Sequence, residues 1–167
     1  MTQTASTKSP QSSAGLSREA VGEITSALRE LLADVFSLYL KTKGFHWHIT
    51  GRHFRDHHLL LDEQASQIFA MTDEIAERAR KIGGFTLRSI ADIARHQRLR
   101  DSVEDSLQPE SMFQELHEGN LHLARFLRAT HELCAARNDV ATTSLVETWI
   151  DETERRIWFL REIVSEF

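Results

Sequence analysis

Apolar residues recur at three- and four-residue spacing through four long segments of this chain, and this periodicity constrains the fold more than any other feature. Such spacing places the apolar side chains on one face of an α-helix. In the first segment, which begins near Ser17, that face consists of Val21, Ile24, Leu28, Leu31, Leu32, Val35 and Leu38. No segment alternates convincingly as a β-strand does. The pattern predicts an all-α protein.

Glycine, proline and capping residues mark where the predicted helices end and begin. Gly51 is a reasonable stop for the first helix, and Gly83-Gly84 breaks the second, which begins near Phe54. Pro109 suits the first turn of the third helix, which runs to about residue 136. Asn138-Asp139 supplies a turn and an N-cap for the fourth.

The connection between the second and third helices is long, residues 83–108, and the stretch SIADIAR within it predicts a short helix of its own. Four helices of roughly 25 residues, with one long connection after the second, follow the plan of a ferritin-like four-helix bundle. We therefore expect an all-α, ferritin-like four-helix bundle with a short extra helix in that connection.

Composition limits the domain count and the location. At 167 residues the chain suits one domain, with residues 1–17 as a flexible tail rich in Ser, Thr and Gln and residues 18–167 as the bundle. No apolar run approaches the roughly 20 residues that span a bilayer, so we expect no membrane partner. The single cysteine, Cys134, excludes an internal disulfide framework. A reducing cytoplasm, with the nucleoid as a second possible location, fits these features.

Histidines and acids gather on one flank of the second helix. Five of the nine histidines fall within residues 46–58. At 100° per residue from His58, Asp62 lies at about 40°, Asp73 at about 60° and Glu77 at about 100°. The core face of this helix centres about 100° away from that arc. A flank of this kind commonly meets another subunit.

Distance along the helix divides the four residues of this arc into two halves. Asp62 and Asp73 are 11 residues apart, or roughly 16 Å along the axis, which no single metal site spans. Two copies of the helix running antiparallel about a two-fold axis would bring one half opposite the other, twice over. The sequence contains no Glu-x-x-His, so the usual di-iron site within one bundle is not expected. The alternative is that the chain is a helical bundle that only interacts with other molecules, and that these acids form a solvated face without metal.

The stretch TKGFHWHITGRHFRDHHLLLDEQASQIFAMTDEIAERARKIGG closely resembles the signature of the Dps family, the mini-ferritins also called DNA-binding proteins from starved cells. The similarity extends from about Ser17 to the C-terminus, without an obvious gap up to Gly84. The residues that carry it are His46, then His58 after 12 positions, Asp62 after 4, Asp73 after 11 and Glu77 after 4. This spacing fits the ferroxidase centre of that family throughout.

The resemblance implies an enzyme, a ferroxidase, and assigns its residues. Its metal ligands would be His46, His58 and Asp62 from one subunit with Asp73 and Glu77 from the two-fold partner. His46, Asp73 and Glu77 would be the catalytic residues. Glu77 is the best candidate to bridge two irons, or it holds the tighter iron with His46 and Asp73. The resemblance further implies a dodecameric hollow shell, hydrogen peroxide as the preferred oxidant of Fe(II), and a ferric mineral stored inside.

Two regions depart from the family pattern. Ser144 stands where an acid often lines the pores through which iron enters the shell, which leaves Asp139, Glu147 and Asp151 as candidates. The tail, which binds DNA in some members, offers only Lys8, Arg18 and the terminal amine, on a chain of net charge −5. Nucleoid compaction, with iron oxidation secondary, is therefore the alternative function, and DNA is an open partner.

Overall fold

The computed structural model describes residues 14–104 and 106–165. These residues form five helices and no strand, so the all-α prediction and the extra helix in the long connection are confirmed. The helices are α1 Arg18–His48, α2 Phe54–Lys81, α3 Ile90–His96, α4 Pro109–Ala136 and α5 Val140–Val164. Within the same residues, no helix combines the length and apolarity that crossing a bilayer requires. Residues 1–13 of the predicted tail lie outside this description.

Local capping explains where the long helices begin and end. The Ser17 side chain accepts a hydrogen bond from Ala20 N at 3.1 Å, which satisfies one of the free donors at the start of α1. Leu16, just before this cap, is already buried in the core. Asp139 caps α5 by accepting from Thr142 N at 3.1 Å. Gly83, at φ +96°, ends α2 in the left-handed region that favours glycine.

The four long helices pack as two antiparallel pairs, because short connections join α1 to α2 and α4 to α5. The pairs meet mainly where α1 packs on α4, and the long connection carries α3 back against α1. One continuous apolar core fills the space between the helices. Its largest members, all fully buried, include Trp149, Phe113, Ile24, Leu28, Leu61 and Ile68. The flank of α2 that carries the predicted ligands stays outside this core.

Arg98 fastens the long connection to α1 through the fully buried Asp34. The Arg98 backbone N and guanidinium Nη2 each donate to this carboxylate at 2.6 Å. The guanidinium also lies 3.9 Å from the centre of the Phe126 ring on α4. Burial raises the pKa of Asp34, while the hydrogen bonds from Arg98 oppose that rise. One arginine thus links the connection, α1 and α4.

Gly84 lets the connection leave α2 in close contact with α1. A Cβ atom at this position would lie 2.0 Å from Thr25 Oγ1 and 2.8 Å from Thr25 Cβ. Thr25 is buried on α1, so it has little room to move. The backbone N of Gly84 also donates to Ala79 O at 2.9 Å. Any larger residue must push the connection away from α1.

We predict that Gly84→Ala destabilises the protein by about 1–3 kcal/mol, the usual cost of inserting a methyl group into a packed contact. Gly22→Ala is the matched control, because no atom lies within 4 Å of a Cβ there and alanine favours the helix. Urea unfolding of both variants measures the difference. Equal midpoints for the two variants would show that Thr25 moves aside without cost.

Candidate metal centre

The imidazoles of His46 and His58 join the end of α1 to the first turns of α2. His46 Nδ1 lies 2.9 Å from the backbone oxygen of His58, and His58 Nδ1 lies 2.9 Å from the backbone oxygen of His46. The two rings stack with their centroids 3.8 Å apart and an angle of 22° between planes. This reciprocal pair of contacts fixes the position of both rings.

These contacts also fix which ring nitrogen is available to a metal. A carbonyl oxygen can only accept, so each Nδ1 carries the hydrogen and donates it. In the neutral ring the lone pair then belongs to Nε2. Metal-binding histidines commonly donate their other N–H group to a backbone carbonyl in this way. His46 and His58 therefore have the tautomer that a metal ligand requires.

Asp62 lies one turn after His58 and adds a carboxylate to the two imidazoles. Its Oδ1 is 4.0 Å from His46 Nε2. The Lys43 ammonium, from α1, donates to the same oxygen, and this hydrogen bond holds the pKa of Asp62 below its usual range. The Asp62 side chain is 49% exposed, so the ion pair is open to solvent. The carboxylate is thus ionised and reachable.

Asp73 and Glu77 lie farther along α2, both exposed. An uninterrupted helix joins them to Asp62, which places Asp73 roughly 16 Å away along the axis. The Lys81 ammonium lies 2.9 Å from Glu77 Oε2, and its hydrogen bond lowers the pKa of Glu77. The structure therefore brings together His46, His58 and Asp62 and leaves Asp73 and Glu77 apart from them. Within one chain, however, these three side chains do not converge enough to hold a metal ion, and neither do any other three His, Cys, Asp or Glu side chains among the described residues.

Lys43 is the part of this region that the sequence analysis missed. It precedes His46 by three residues, so the two share one flank of α1. That spacing was the available signal, and it shows only that Lys43 is near His46. The contact with Asp62 depends on how α1 and α2 pack.

Large apolar side chains are exposed beside the predicted ligands. Trp47 is 62% exposed, Leu59 49% and Phe69 50%. On α2, Phe69 and Leu59 lie at about 20° and 100° from His58, within the arc of the acids. The Phe69 ring centroid is 4.9 Å from that of Tyr39 on α1. Exposed aromatic residues grouped in this way are typical of a surface that contacts another protein.

The candidates for the pore lining separate into buried and exposed acids. Asp139 is buried, and Arg78 Nη2 donates to its Oδ1 at 2.6 Å. Asp139 also caps α5. The prediction that it lines a pore is therefore wrong. Glu147 is exposed and lies 2.9 Å from His131 Nε2, and Asp151 is also exposed. Glu147 and Asp151 stay predictions.

Comparison with known proteins agrees with this architecture. Residues 25–167 match the model of the ferritin-like domain family. DNA protection during starvation protein 1 of Deinococcus radiodurans is 32% identical over 143 residues, which cover 86% of this chain and 69% of that protein.

Solved structures show the same fold. A Dps from Thermosynechococcus elongatus superposes with a TM-score of 0.85 at 27% identity, over 87% of this chain and 92% of that one. A Dps from Vibrio cholerae O1, a member of a broad superfamily of ferritin-like diiron-carboxylate proteins, superposes with a TM-score of 0.88 at 26% identity, over 95% and 99%. The ferritin-like fold predicted from the helix pattern is confirmed. The chain belongs to the ferritin-like domain family and, within it, to the Dps proteins.

Proposed function

We propose that this protein is a ferroxidase and iron store, which oxidises Fe(II) at centres shared between two-fold related subunits. The observation that carries the proposal is the half-site on one chain. His46 and His58 offer Nε2 in the metal-binding tautomer, and an ionised Asp62 lies beside them. Two imidazoles and one carboxylate need further ligands to hold two irons. A second copy of the chain supplies them.

The positions on α2 are consistent with one two-fold axis. The pairs 58/77 and 62/73 are each centred between residues 67 and 68. Two antiparallel copies of α2 that cross there would place His58 opposite Glu77, and Asp62 opposite Asp73, of the partner subunit. One axis therefore completes both halves of the site at once, which supports the shared arrangement.

Apolar burial would hold the two copies together at that axis. Phe69 lies within half a turn of the crossing point and is 50% exposed in one chain. Trp47 and Leu59 flank the ligands and are also exposed. Full burial of a large apolar side chain contributes about 1.5–3 kcal/mol, so these residues favour association at this face. The same contact would partly exclude solvent from the irons.

The ligand set suits oxidation of iron in pairs. Imidazole nitrogen and carboxylate oxygen hold Fe(II), and the carboxylates stabilise Fe(III) as it forms. His46 with Asp73 and Glu77 of the partner subunit would hold the tighter iron, with Glu77 as the bridge. His58 and Asp62 would hold the weaker one. Two Fe(II) ions give two electrons to one hydrogen peroxide, which takes up two protons and leaves as two waters, so no hydroxyl radical is released.

Lysine ammonium groups accompany a carboxylate of each half before iron binds. Lys43 pairs with Asp62, and Lys81 pairs with Glu77. Fe(II) would displace both ammonium groups from the carboxylates and take over their role as counter-charge. Both carboxylates are open to solvent, so each ion pair is weak and a metal ion can replace it.

The proposed assembly is a dodecamer of two-fold dimers, with oxidised iron stored as ferric mineral in its cavity. Removing Fe(II) and peroxide together would protect DNA from oxidative damage, in keeping with the name of the Deinococcus relative. The native mass tests the assembly directly. A particle near twelve times the 19.2 kDa chain supports the shell, and a monomer would exclude it.

The shared site predicts complementation between two inactive chains. A chain with His46→Ala and His58→Ala should assemble with a chain carrying Asp73→Ala and Glu77→Ala. Some interfaces then combine two intact halves, so peroxide-driven Fe(II) oxidation should partly return. Each mutant mixed only with itself is the control. Co-assembled mixtures as inactive as either parent would disprove the shared site.

Glu77→Gln should slow oxidation much more than it weakens Fe(II) binding. The substitution preserves the shape of the side chain but removes the negative charge that offsets Fe(III). Glu63→Gln, an exposed glutamate of the same helix outside the ligand arc, is the matched control. Stopped-flow oxidation, anaerobic Fe(II) titration and spin trapping of hydroxyl radical give the readouts. Normal oxidation by Glu77→Gln, or as much radical from the wild type as from free Fe(II), would contradict paired-iron chemistry.

Lys43→Gln should strengthen binding at the weaker iron position, because it removes the ammonium that competes for Asp62. The expected gain is up to about fivefold, since an ion pair with a solvent-exposed carboxylate is weak. Lys43→Arg keeps the charge and should leave the affinity near that of the wild type. Anaerobic Fe(II) calorimetry distinguishes the variants. Weaker binding in Lys43→Gln would mean that Lys43 supports the site instead of competing for it.

A further inference from the structure

A buried arginine lies inside the helix bundle, away from the proposed iron centre. Arg156 on α5 is 1% exposed. Its Nε donates to Asn120 Oδ1 on α4 at 3.0 Å. Its Nη2 donates to Thr153 Oγ1 at 2.8 Å and lies 3.8 Å from Met71 Sδ on α2. The guanidinium therefore contacts three of the four long helices.

The partners of this guanidinium are all neutral. Its Nη1 has no hydrogen-bond partner in the described part of the chain, and the carboxylate of Glu152 acts on its charge only through space. Burial lowers the pKa of Arg156 to about 10, which still leaves it protonated at neutral pH. An unpaired donor on a buried charge is costly, so native structures rarely retain one without a ligand or ordered solvent.

An unpaired acceptor lies on the facing helix. Gln64 on α2 is 3% exposed, and its Oε1 has no hydrogen-bond partner among the described residues. Gln64 and Arg156 line one small cavity between α2 and α5, with a volume of about 10 Å³. The cavity is partly open to solvent, since the exposed Glu63, Arg155 and Phe159 also line it. That volume is close to the minimum of about 10–15 Å³ that one water molecule needs.

We propose that this cavity is a binding site for one ordered water molecule, which accepts a hydrogen bond from Arg156 Nη1 and donates one to Gln64 Oε1. Water suits the site because the two protein atoms are a donor and an acceptor, and only a ligand with both functions satisfies them together. The carbonyl oxygen of Gln64 disfavours an anion. The guanidinium charge disfavours a metal cation.

The position of this water gives it a structural role. It joins α2 to α5 at a point where the remaining hydrogen bonds of Arg156 already reach α4. The polar connection through the bundle is then complete, from Gln64 through water and Arg156 to Asn120. Asn120 in turn donates to Leu116 O at 2.8 Å. The water thus gives a partner to Arg156 Nη1 and to Gln64 Oε1, the two buried atoms on this path that have none within the described residues.

High-resolution diffraction from the full chain, with crystals soaked in bromide, tests the proposal directly. We expect one solvent peak about 2.7–3.2 Å from both Arg156 Nη1 and Gln64 Oε1, without anomalous signal. An anomalous peak would identify a halide site and overturn the assignment to water. A direct contact between the two side chains, or a cavity without density, would also overturn it.

Gln64→Leu provides an independent test, because it removes the acceptor and leaves Nη1 with no route to a partner. We expect its melting temperature to fall by roughly 3–10 °C and the solvent peak to disappear. Gln67→Leu is the control, because Gln67 lines the same cavity but bonds to Glu63 instead. A Gln64→Leu protein as stable as Gln67→Leu would contradict the proposal. If Gln64→Leu does not assemble, the wild-type diffraction still decides the question.

Discussion

The rise of an α-helix, about 1.5 Å per residue, is the constraint on which the organisation of this protein depends. It keeps the two acidic halves on α2 too far apart to serve one metal in one chain. Because α2 runs without interruption from Phe54 to Lys81, no bend can bring them together. The chemistry we propose therefore requires a second chain. The proposed activity therefore depends on the interface, because each half of the site stays incomplete if the interface does not form.

Within one half, the contact between α1 and α2 fixes the proposed ligands in position. His46 contributes a backbone oxygen from the last turn of α1, where carbonyls lack helical partners, and His58 contributes one from the first turns of α2. The same bonds that close the helix pair hold both imidazoles in one tautomer. Little reorganisation is then needed on binding, which favours fast loading. Lys43, which is partly buried, and the exposed Lys81 lower the pKa of Asp62 and Glu77, and both carboxylates stay open to solvent.

The sequence predicted what depends on local pattern and missed what depends on packing across the bundle. Periodicity and caps located all five helices, and helical geometry placed four predicted ligands on one arc. The contact of Lys43 with Asp62 could not be read in this way, because it joins residues 19 positions apart on two helices. For Asp139, the sequence predicted a role that packing excludes. Its negative charge suggested that it lines a pore, but the structure buries it beside Arg78, which lies 61 positions away in the sequence.

The bundle interior explains why iron chemistry would lie on the flank instead. Bundles that hold two irons internally use carboxylates from all four helices. The interior of this bundle instead holds the Arg156 guanidinium, with amide, hydroxyl and thioether groups around it. A buried positive charge repels any cation that approaches it, since charges interact strongly away from water. The interior can therefore stabilise the fold without having to bind iron. The flank of α2, open to solvent until a partner covers it, keeps the carboxylates.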